Sequence, residues 1–324
     1  MLGFDRKWKE LPDFITGVSR EFWDARGLAE ACKTFYDPEI TQISPQGEMN
    51  GTKNVARAAL SVIHELPELS TLCEDIIWTG ERRKGFASSH RQLCRTNPSA
   101  AGPFGKAAQE PLTFRTIVDS SVKNNIISKE WLVRDYGAVV RQMGMRADKW
   151  ALGKLESGQM QGLLSPEDLE KLDGVGNSHP AAERLDRLLS GIMNASFSVI
   201  GKNYEPAAEL AYPGGKSAYG YAAAEKFWLP LRAAFPGAKF KIHQQIGRED
   251  ANLSPRAAIR WSLCGTHSGW GAFGPPSGAE VLVMGITQVE FGQKGIRREW
   301  TLYDETAIWG QILRHKGLGA EEAA

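Results

Sequence analysis

Two stretches of the chain, residues 127–135 and 296–304, carry the same pattern of β-branched, aromatic and charged residues. This composition favours a half-buried β-strand, in which residues two apart share one face. Glu299, Thr301 and Tyr303 therefore share a face in the second stretch. A carboxylate held against an apolar surface has its pKa raised by desolvation, so it can exchange protons near neutral pH. These residue types indicate acid–base catalysis.

The first stretch places Glu130 and Arg134 on one face in the same way. Because Arg134 can neutralise Glu130, we take Glu299 as the stronger catalytic candidate and expect Glu130 and Arg134 to contact substrate. The alternative for Glu299 is a structural salt bridge to Arg260 or Arg298, since a buried carboxylate is costly unless it is paired or functional.

Each stretch ends at an aspartate, Asp135 or Asp304, directly before a predicted helix. An acidic side chain at that position can cap free backbone N–H groups of the helix. Capping is therefore the structural interpretation for both residues, and Asp304 is kept as a catalytic candidate as well.

The two stretches belong to a larger internal repeat. Tyr36 recurs as Tyr204 after 168 residues (204 − 36), and Cys94 recurs as Cys264 after 170 (264 − 94). A duplication keeps several landmarks at nearly one offset, and a one-residue insertion in a hairpin explains the larger value. The chain is predicted to hold two copies of one domain. Other landmarks are Pro45 with Pro213 at 168, and Gly51 with Gly220, Pro67 with Pro236, Phe104-Gly105 with Phe273-Gly274 and Trp131 with Trp300 at 169.

Length and composition agree with two globular domains. The 324 residues exceed the size of most single cores, and 39 basic against 38 acidic residues give a formal charge of +1. This balance predicts neither a nucleic-acid nor a membrane partner. We expect a cytoplasmic protein, because no apolar run approaches the ~18–20 residues that span a bilayer and the N-terminus lacks a signal-peptide pattern.

The four cysteines form no Cys-x-x-Cys pair and are expected to be reduced core thiols.

In each copy, helical periodicity precedes a run of strand-like segments, which predicts an α+β fold with helices on one face of an antiparallel sheet. We assign residues 1–144 to the first domain, 183–316 to the second and 317–324 to a frayed tail. Residues 145–182 match nothing in the other half and are expected to form a linker with a short helix that starts at Ser165.

Three motifs in the second half resemble the signature of SnoaL-like polyketide cyclases: RWSLCGTHSG at 260–269, FGPPSG at 273–278 and REWTLYD at 298–304. The sequence KEWLVRD at 129–135 resembles this signature more loosely. The family, often labelled ester cyclase, belongs to the nuclear-transport-factor-2-like superfamily. The resemblance implies two tandem cone-shaped, cystatin-like α+β barrels, each with a pocket inside a curved sheet. It also implies an internal pseudo-dimer that pairs through its sheets and leaves a further homodimer open.

The chemistry implied by the resemblance is an intramolecular aldol ring closure without a metal or organic cofactor. A carboxylate in an apolar pocket would remove a carbon-bound proton from the substrate. The aspartate that serves the characterised cyclases falls on Leu132 in the first half and on Thr301 in the second, and its partner histidine falls near Val118 and Val289. Neither half keeps the family's acid–base pair.

The resemblance places the remaining candidates around the pockets. If Thr301 takes the inward position of the missing aspartate, its neighbours two residues away face the second cone. His267 and Trp270 are expected at the mouth of that cone, and His90, taken as the match of Arg260, is expected to face the first pocket. The tryptophans Trp131 and Trp300 are expected to pack under the helices. The catalytic candidates are Glu299, His267, Tyr303 and Asp304, and the substrate-binding candidates are Thr301, Trp270, Trp300, Glu130, Arg134 and His90.

Three functions remain open at this point. The first is an acid–base enzyme on a small carbonyl or polyketide-like compound, such as an aldol cyclase, an isomerase or a lyase. The second is a non-catalytic module that binds a hydrophobic ligand or a partner. The third is an epoxide or ester hydrolase, for which Glu130 and Arg134 would supply the carboxylate and the arginine. We expect the copy at residues 296–304 to be active and the copy at 127–135 to complete the pair.

Overall fold

The computed structural model describes residues 4–98, 104 and 108–318. The landmark Gly105 and residues 319–324 of the predicted tail lie outside these described residues.

The first domain begins with helices and continues as a six-stranded sheet. Its elements are α1 (Leu11–Ser19), a π-helical turn (Arg20–Asp24), α2 (Leu28–Phe35), β1 (Tyr36–Ser44), β2 (Gly47–Asn50), α3 (Thr52–Glu65), β3 (Ser70–Glu81), β4 (Gly85–Thr96), β5 (Leu112–Lys123), β6 (Ile126–Arg134) and α4 (Tyr136–Gln142).

The linker contains more structure than the short helix that the sequence predicts. Helix α5 spans Ala147–Glu156, and a 3-10 helix spans Pro166–Leu172. Ser165 caps the 3-10 helix in a capping box with Asp168, as its position before a proline predicts. This segment packs against both domains, because α5 contacts α4 of the first domain and the last helix of the second, and the 3-10 helix contacts the second sheet.

The second domain repeats the order of the first. Its elements are α6 (Pro180–Met193), α7 (Ser198–Asn203), β7 (Tyr204–Tyr212), β8 (Lys216–Tyr219), α8 (Tyr221–Ala234), β9 (Lys239–Arg248), β10 (Arg256–Thr266), β11 (Glu280–Phe291), β12 (Ile296–Tyr303) and α9 (Glu305–His315).

The two sheets have the same topology. Their strand orders are β2-β1-β6-β5-β4-β3 and β8-β7-β12-β11-β10-β9. All neighbours pair antiparallel except β1 with β6 and β7 with β12, which pair parallel. Helices cover the concave face of each sheet, so that each domain is an α+β cone. The predicted fold class is confirmed.

The strand registers of the two sheets show where one repeat has an additional residue relative to the other. Ser44 pairs with Gly47 across the β1–β2 turn, and Tyr212 pairs with Lys216 across the β7–β8 turn. The offset therefore changes from 168 to 169 (212 − 44, 216 − 47) inside this turn, which is one residue longer in the second domain. No further shift precedes β4, and the predicted offset of 170 at Cys94 is wrong.

The same registers correct one match between the halves. The cross-strand pair His90 and Val118 corresponds to Ile259 and Thr287, each 169 residues later (259 − 90, 287 − 118). The predicted match of His90 with Arg260 is therefore wrong by one residue. Side chains alternate between the two faces of a strand, so an alignment error of one residue exchanges the faces. The predicted match therefore assigns His90 and Arg260 to the same face, whereas they lie on opposite faces.

The convex faces of the two sheets pack against each other. At their centre the guanidinium of Arg260 bonds the carboxylate of Asp119 from the other domain, and both side chains are buried. Arg260 also lies 3.8 Å from the ring centroid of Trp131. A buried ion pair of this kind is costly to break, since removal of one partner leaves an uncompensated charge.

A second stack lies at the position related to the first by the repeat. Arg91 lies 3.5 Å from the ring centroid of Trp300 and donates a hydrogen bond to the side chain of Gln288. The tryptophans of the two repeated stretches, Trp131 and Trp300, thus lie at the contact between the sheets. The prediction that they pack under the helices is wrong, and Trp300 does not contact a pocket interior. The reason is again strand alternation, because each tryptophan lies one residue from an inward glutamate.

Within the described ranges, no helix is long and apolar enough to cross a membrane. Over the same residues, no group of three or more His, Cys, Asp or Glu side chains is arranged to hold a metal ion. The four cysteines are free: Cys32 and Cys94 are buried, and Cys73 and Cys264 are half-buried.

Candidate active site

The first cone encloses a cavity of about 810 Å³. The inner faces of β4, β5 and β6 form one wall, and α1, the π-helical turn and α3 form the opposite wall. The linker contributes Gln159, Met160 and Gly162, and the second domain contributes Asp304. A cavity of this size matches the usual volume of small-molecule sites. The first domain therefore needs the rest of the chain to complete its pocket.

The cavity exists because small or polar residues occupy positions that are aromatic in the second domain. Ala59 on α3 lines the cavity, whereas the equivalent residue on α8 is the fully buried Trp228. Gln92 on β4 lines the cavity, whereas the equivalent residue on β10 is the fully buried Trp261. Across from Trp261 lies Gly285, where a Cβ atom would lie 2.2 Å from the indole ring. The second domain is thus adapted to fill its cone.

Glu299 lies inside the filled cone. Its carboxylate accepts hydrogen bonds from the hydroxyls of Tyr204 (2.7 Å), Tyr212 (3.0 Å) and Thr301 (2.7 Å). The Phe227 ring stacks on Tyr212 with 3.7 Å between the ring centroids. Burial raises the pKa of Glu299, and the hydrogen bonds from Thr301 and the tyrosines oppose that rise. The carboxylate is held by packed side chains that leave it 1% exposed.

The salt bridges expected for Glu299 are not formed. Arg260 pairs with Asp119, and Arg298 pairs with Glu209 at 2.7 Å. The structural alternative was right about the need for partners but wrong about their type, because neutral hydroxyls satisfy the carboxylate.

The other candidates on β12 also belong to the packed interior. Thr301 is fully buried and shares a hydrogen bond with Thr287 at 2.9 Å. Tyr303 is 3% exposed and stacks on Phe227, with 6.0 Å between the ring centroids. Trp261 donates its indole N–H to Thr287 at 3.0 Å. The face of β12 that sequence reasoning favoured is therefore inward, but it meets other side chains instead of a cavity.

Glu130 lies in the wall of the first cavity and is 5% exposed. Its carboxylate accepts hydrogen bonds from the side-chain amide of Gln42 at 2.9 Å and from the hydroxyl of Ser120 at 3.4 Å. Burial raises the pKa of Glu130 to about 7, because two neutral donors offset only part of the desolvation. At neutral pH both protonation states of this carboxyl are populated, as an acid–base catalyst requires.

His90 lies in the same wall and is also 5% exposed. Burial lowers the pKa of His90 to about 4, so the imidazole is neutral at pH 7. Among the residues the structure describes, its Nδ1 atom has no hydrogen-bond partner. A buried polar atom without a partner is destabilising unless a ligand or water satisfies it. His90 is thus a neutral imidazole in the cavity wall, and its Nδ1 atom is itself buried.

Arg134 follows at the end of β6 and lines the cavity. The ion pair between Glu130 and Arg134 that the sequence suggested is not among those formed by the described residues. The guanidinium instead lies near the rings of Trp23 and Tyr136, at 5.9 and 5.6 Å from their centroids. Glu130 thus keeps its raised pKa, because no arginine neutralises it.

Sequence reasoning missed the polar groups that surround these side chains. Gln42 and Ser120 bond Glu130, and Gln92 donates to the hydroxyl of Ser19 at 2.6 Å across the cavity wall. Strand alternation gives a sequence signal for such residues on β4 and β5. On β4, for example, His90 and Gln92 are two apart and therefore share one face. Gln42 lies on β1, and its approach to Glu130 follows from the parallel pairing of β1 with β6.

His267 and Trp270 lie apart from the first cavity. His267 is fully buried, its Nδ1 bonds the hydroxyl of Ser277 at 2.9 Å, and its ring packs near Phe235 and Phe273. Its backbone also bonds the loop that precedes β11, so it organises that loop. Trp270 is 72% exposed. Over the residues that the structure describes, neither residue contacts an open pocket, because the second cone is filled.

Asp135 and Asp304 cap α4 and α9. Asp135 accepts from the Ala138 N–H at 3.0 Å, and it also accepts from the N–H groups of Gly214 and Gly215 in the other domain, at 2.8 and 2.9 Å. Burial raises the pKa of Asp135 to about 7. The helix caps therefore also join the domains.

Asp304 takes the related position. It accepts from the Thr306 N–H at 2.8 Å and from the side-chain amide of Gln46 in the first domain at 2.6 Å. It also lines the first cavity. These hydrogen bonds identify Asp304 as the cap of α9, and its geometry indicates no catalytic role.

The comparisons with known proteins concern one domain at a time. The family model of SnoaL-like polyketide cyclase matches residues 185–312. The second domain is a SnoaL-like domain. The first domain shares its topology and strand register, as described above. No curated protein matches the chain.

Similar solved structures each correspond to about one domain. A protein described as a SnoaL-like polyketide cyclase from Jannaschia sp. CCS1 is 15% identical, covers 42% of this chain and 96% of its own, and has a TM-score of 0.35. A protein from Acidithiobacillus ferrooxidans that is described as a polyketide cyclase is 20% identical, covers 43% of this chain and 97% of its own, and also has a TM-score of 0.35. A protein with a ketosteroid isomerase-like fold from Catenulispora acidiphila is 11% identical, covers 43% and 98%, and has a TM-score of 0.35.

Proposed function

We propose that the chain is an acid–base enzyme that acts on a small carbonyl compound, and that its active site is the cavity of the first domain. The carrying observation is Glu130, whose carboxyl lines a cavity of about 810 Å³ and has its pKa raised to about 7. A general base works best when its pKa lies near the operating pH. The scheme uses only groups of the protein and requires no metal or organic cofactor.

In this scheme the ionised Glu130 removes a proton from a carbon next to a carbonyl group, and the substrate becomes an enolate. The imidazole of His90 donates a hydrogen bond to the enolate oxygen, since this side chain lines the cavity and burial keeps it neutral. His90 and Glu130 lie two strands apart on the inner face, and Glu130 is two residues farther along, which corresponds to about 12 Å of backbone separation. A substrate between them can therefore contact both side chains.

The enolate then has two outcomes that the same groups support. Attack on a second carbonyl of the substrate closes a ring, as in an aldol cyclase, and return of the proton to another carbon completes an isomerisation. In both cases the protonated Glu130 gives its proton back. The family of the second domain supports the cyclase outcome, although the aspartate of that family is replaced by Leu132 here.

The proton-abstraction step can be tested without the natural substrate. We would follow the exchange of the α-protons of 2-tetralone in D₂O by ¹H NMR. The intact chain is expected to accelerate the exchange, and Glu130→Gln is expected to reduce the acceleration by roughly 10²–10⁴-fold.

The matched control is Glu299→Gln, the equivalent substitution in the filled cone, which is expected to leave the exchange rate unchanged. Equal rates for the intact chain and Glu130→Gln would contradict the proposal. Binding of 2-tetralone without any acceleration would favour the non-catalytic binding module instead.

A further inference from the structure

The cavity wall contains a half-buried guanidinium, that of Arg134, whose charge is not balanced by a neighbour among the described residues. Arg134 is half-buried and makes one long hydrogen bond to the Tyr136 hydroxyl, at 3.4 Å. Over the described part of the chain, it forms no ion pair with Asp or Glu. Partial burial strengthens the interaction of such a charge with an anion, because water screens it less.

Other charged groups around the cavity already have partners. Lys154 pairs with Glu65 at 2.6 Å, and Glu48 pairs with Lys171 at 2.6 Å. Asp304 is bonded by the second domain's helix and by Gln46. Arg57 also lines the cavity, but its side chain is exposed, so water screens its charge. Arg134 is therefore the half-buried cation of this wall that remains for a ligand.

We propose that the substrate carries a carboxylate that binds Arg134 while its reacting carbon lies beside Glu130. The proposal rests on the proposed function in that both use the first cavity as the substrate site. A guanidinium binds a carboxylate through two parallel N–H donors, which fixes the orientation of the bound molecule as well as its charge.

The spacing along β6 sets the shape of this substrate. Glu130 and Arg134 are four residues apart on one strand, so their Cα atoms are separated by about 13 Å. Leu132 lies between them on the same face, and Val118 lies opposite it in the register. The middle of the site is therefore apolar. The substrate is an elongated or ring-containing carboxylic acid with its charge at one end and an acidic C–H bond toward the other.

Two aromatic rings shape the anionic end. The guanidinium of Arg134 lies 5.9 Å from the centroid of Trp23 and 5.6 Å from that of Tyr136. Rings at this distance hold a guanidinium by cation–π attraction and limit its orientations. The arginine is thus positioned before a ligand binds, which lowers the entropic cost of binding.

The test compares a planar carboxylate with its neutral amide. Binding of 2-naphthoate and of 2-naphthamide to the full chain would be measured by calorimetry at pH 8, with decanoate as an aliphatic carboxylate. The intact chain is expected to bind 2-naphthoate at least about tenfold more tightly than the amide. Arg134→Gln is expected to remove this preference, and Arg134→Lys is expected to keep part of it, because the charge remains without the bidentate geometry.

The matched control is Arg83→Gln in the β3–β4 turn, which removes the same charge from an exposed position. It is expected to keep the full preference for the carboxylate, and circular dichroism would establish that every variant is folded. Equal binding of naphthoate and naphthamide by the intact chain would overturn the inference. A preference that survives in Arg134→Gln, or binding of neither carboxylate, would overturn it as well.

This test is independent of catalysis. Glu130→Gln should bind 2-naphthoate at least as tightly as the intact chain, because the substitution removes a partial negative charge from the cavity. If the chain does not accelerate the 2-tetralone exchange but still prefers the carboxylate, the acid–base function alone is rejected. If the exchange depends on Glu130 but the chain shows no preference for the carboxylate, the role of Arg134 alone is rejected.

Discussion

The cones of the two domains are built from equivalent strands and helices but are filled differently. In the second cone, Trp228 and Trp261 are fully buried, and Tyr204 and Tyr212 bond Glu299. In the first cone, the positions of the two tryptophans hold alanine and glutamine, and a cavity of about 810 Å³ remains. The same backbone therefore supports a packed core in one copy and an open cavity in the other.

The equivalent glutamates, Glu130 and Glu299, show what this difference does to one chemical group. Both are buried, both accept hydrogen bonds from neutral side chains, and burial raises the pKa of both. Only the surroundings differ, since Glu130 meets open volume and Glu299 meets aromatic rings. A perturbed pKa therefore marks a catalytic candidate only where a substrate can reach the group.

The family match and the cavity lie on different domains. The model of SnoaL-like polyketide cyclase covers residues 185–312, in the domain whose cone is filled. This arrangement is consistent with a division of roles, in which the second domain supports the first across the sheet contact. It supplies Asp304 to the cavity wall and anchors the linker that closes it.

The largest expected effect on ligand binding and proton exchange comes from filling the first cone. Ala59→Trp introduces the residue of the second domain at the equivalent position, and the indole would occupy the volume that a ligand needs. We expect loss of 2-naphthoate binding and of 2-tetralone exchange by at least about 100-fold, an effect of roughly 3 kcal/mol. Lys53→Trp, at an exposed position of the same helix, should leave both unchanged. Normal binding by Ala59→Trp would show that the cavity is not the ligand site.

The reverse substitution empties the second cone. Trp228→Ala removes a fully buried indole, and we expect the free energy of unfolding to fall by about 3–5 kcal/mol because the cavity cannot collapse completely. Urea denaturation would measure this change. Trp270→Ala, at a 72% exposed position, should change stability by less than about 0.5 kcal/mol. A small effect at Trp228 would mean that the second cone is less tightly packed than the structure shows.

The smallest expected effect is the dependence of stability on the protonation of Glu130. The folded-state pKa of about 7 lies above the ordinary value of a glutamate, so the folded state holds this proton more tightly than the unfolded state. The contribution to stability is present at low pH and is lost as pH rises from about 4.5 to 7. It amounts to about 3 kcal/mol at most, before relaxation of the cavity reduces it.

The check is the difference in the free energy of unfolding between pH 4.5 and 7.5, measured for the intact chain and for Glu130→Gln. In Glu130→Gln, the fall in the free energy of unfolding with rising pH should be smaller by the part that Glu130 causes. The part from Asp135, whose pKa is also raised to about 7, should remain. Identical pH dependence in the two proteins would indicate that folding does not raise the pKa of Glu130, and it would remove the basis for a base poised near neutrality.

Much of the fold follows from the repeated sequence. The matched landmarks and the order of helices before strands predict two α+β domains, because each local pattern recurs in the same context. The same comparison of the two halves could have predicted the cavity, since Ala59 and Gln92 align with Trp228 and Trp261 when the offset of 169 is kept. The offset of 170 at Cys94 obscured the match of Gln92 with Trp261, and in a strand one residue of error exchanges the two faces.

The sequence by itself determined the duplication, the α+β class and the inward face of β12 and β6. It did so because period and composition are local properties that a strand or helix expresses wherever it folds. Only the tertiary structure decided which cone is open, because the free volume depends on how side chains from a helix and several strands meet. It also decided that Arg134 remains unpaired among the described residues and that Gln42 and Ser120, not Arg134, hold Glu130. Those contacts join residues that are far apart in the chain, and the sequence contains no local signal for them.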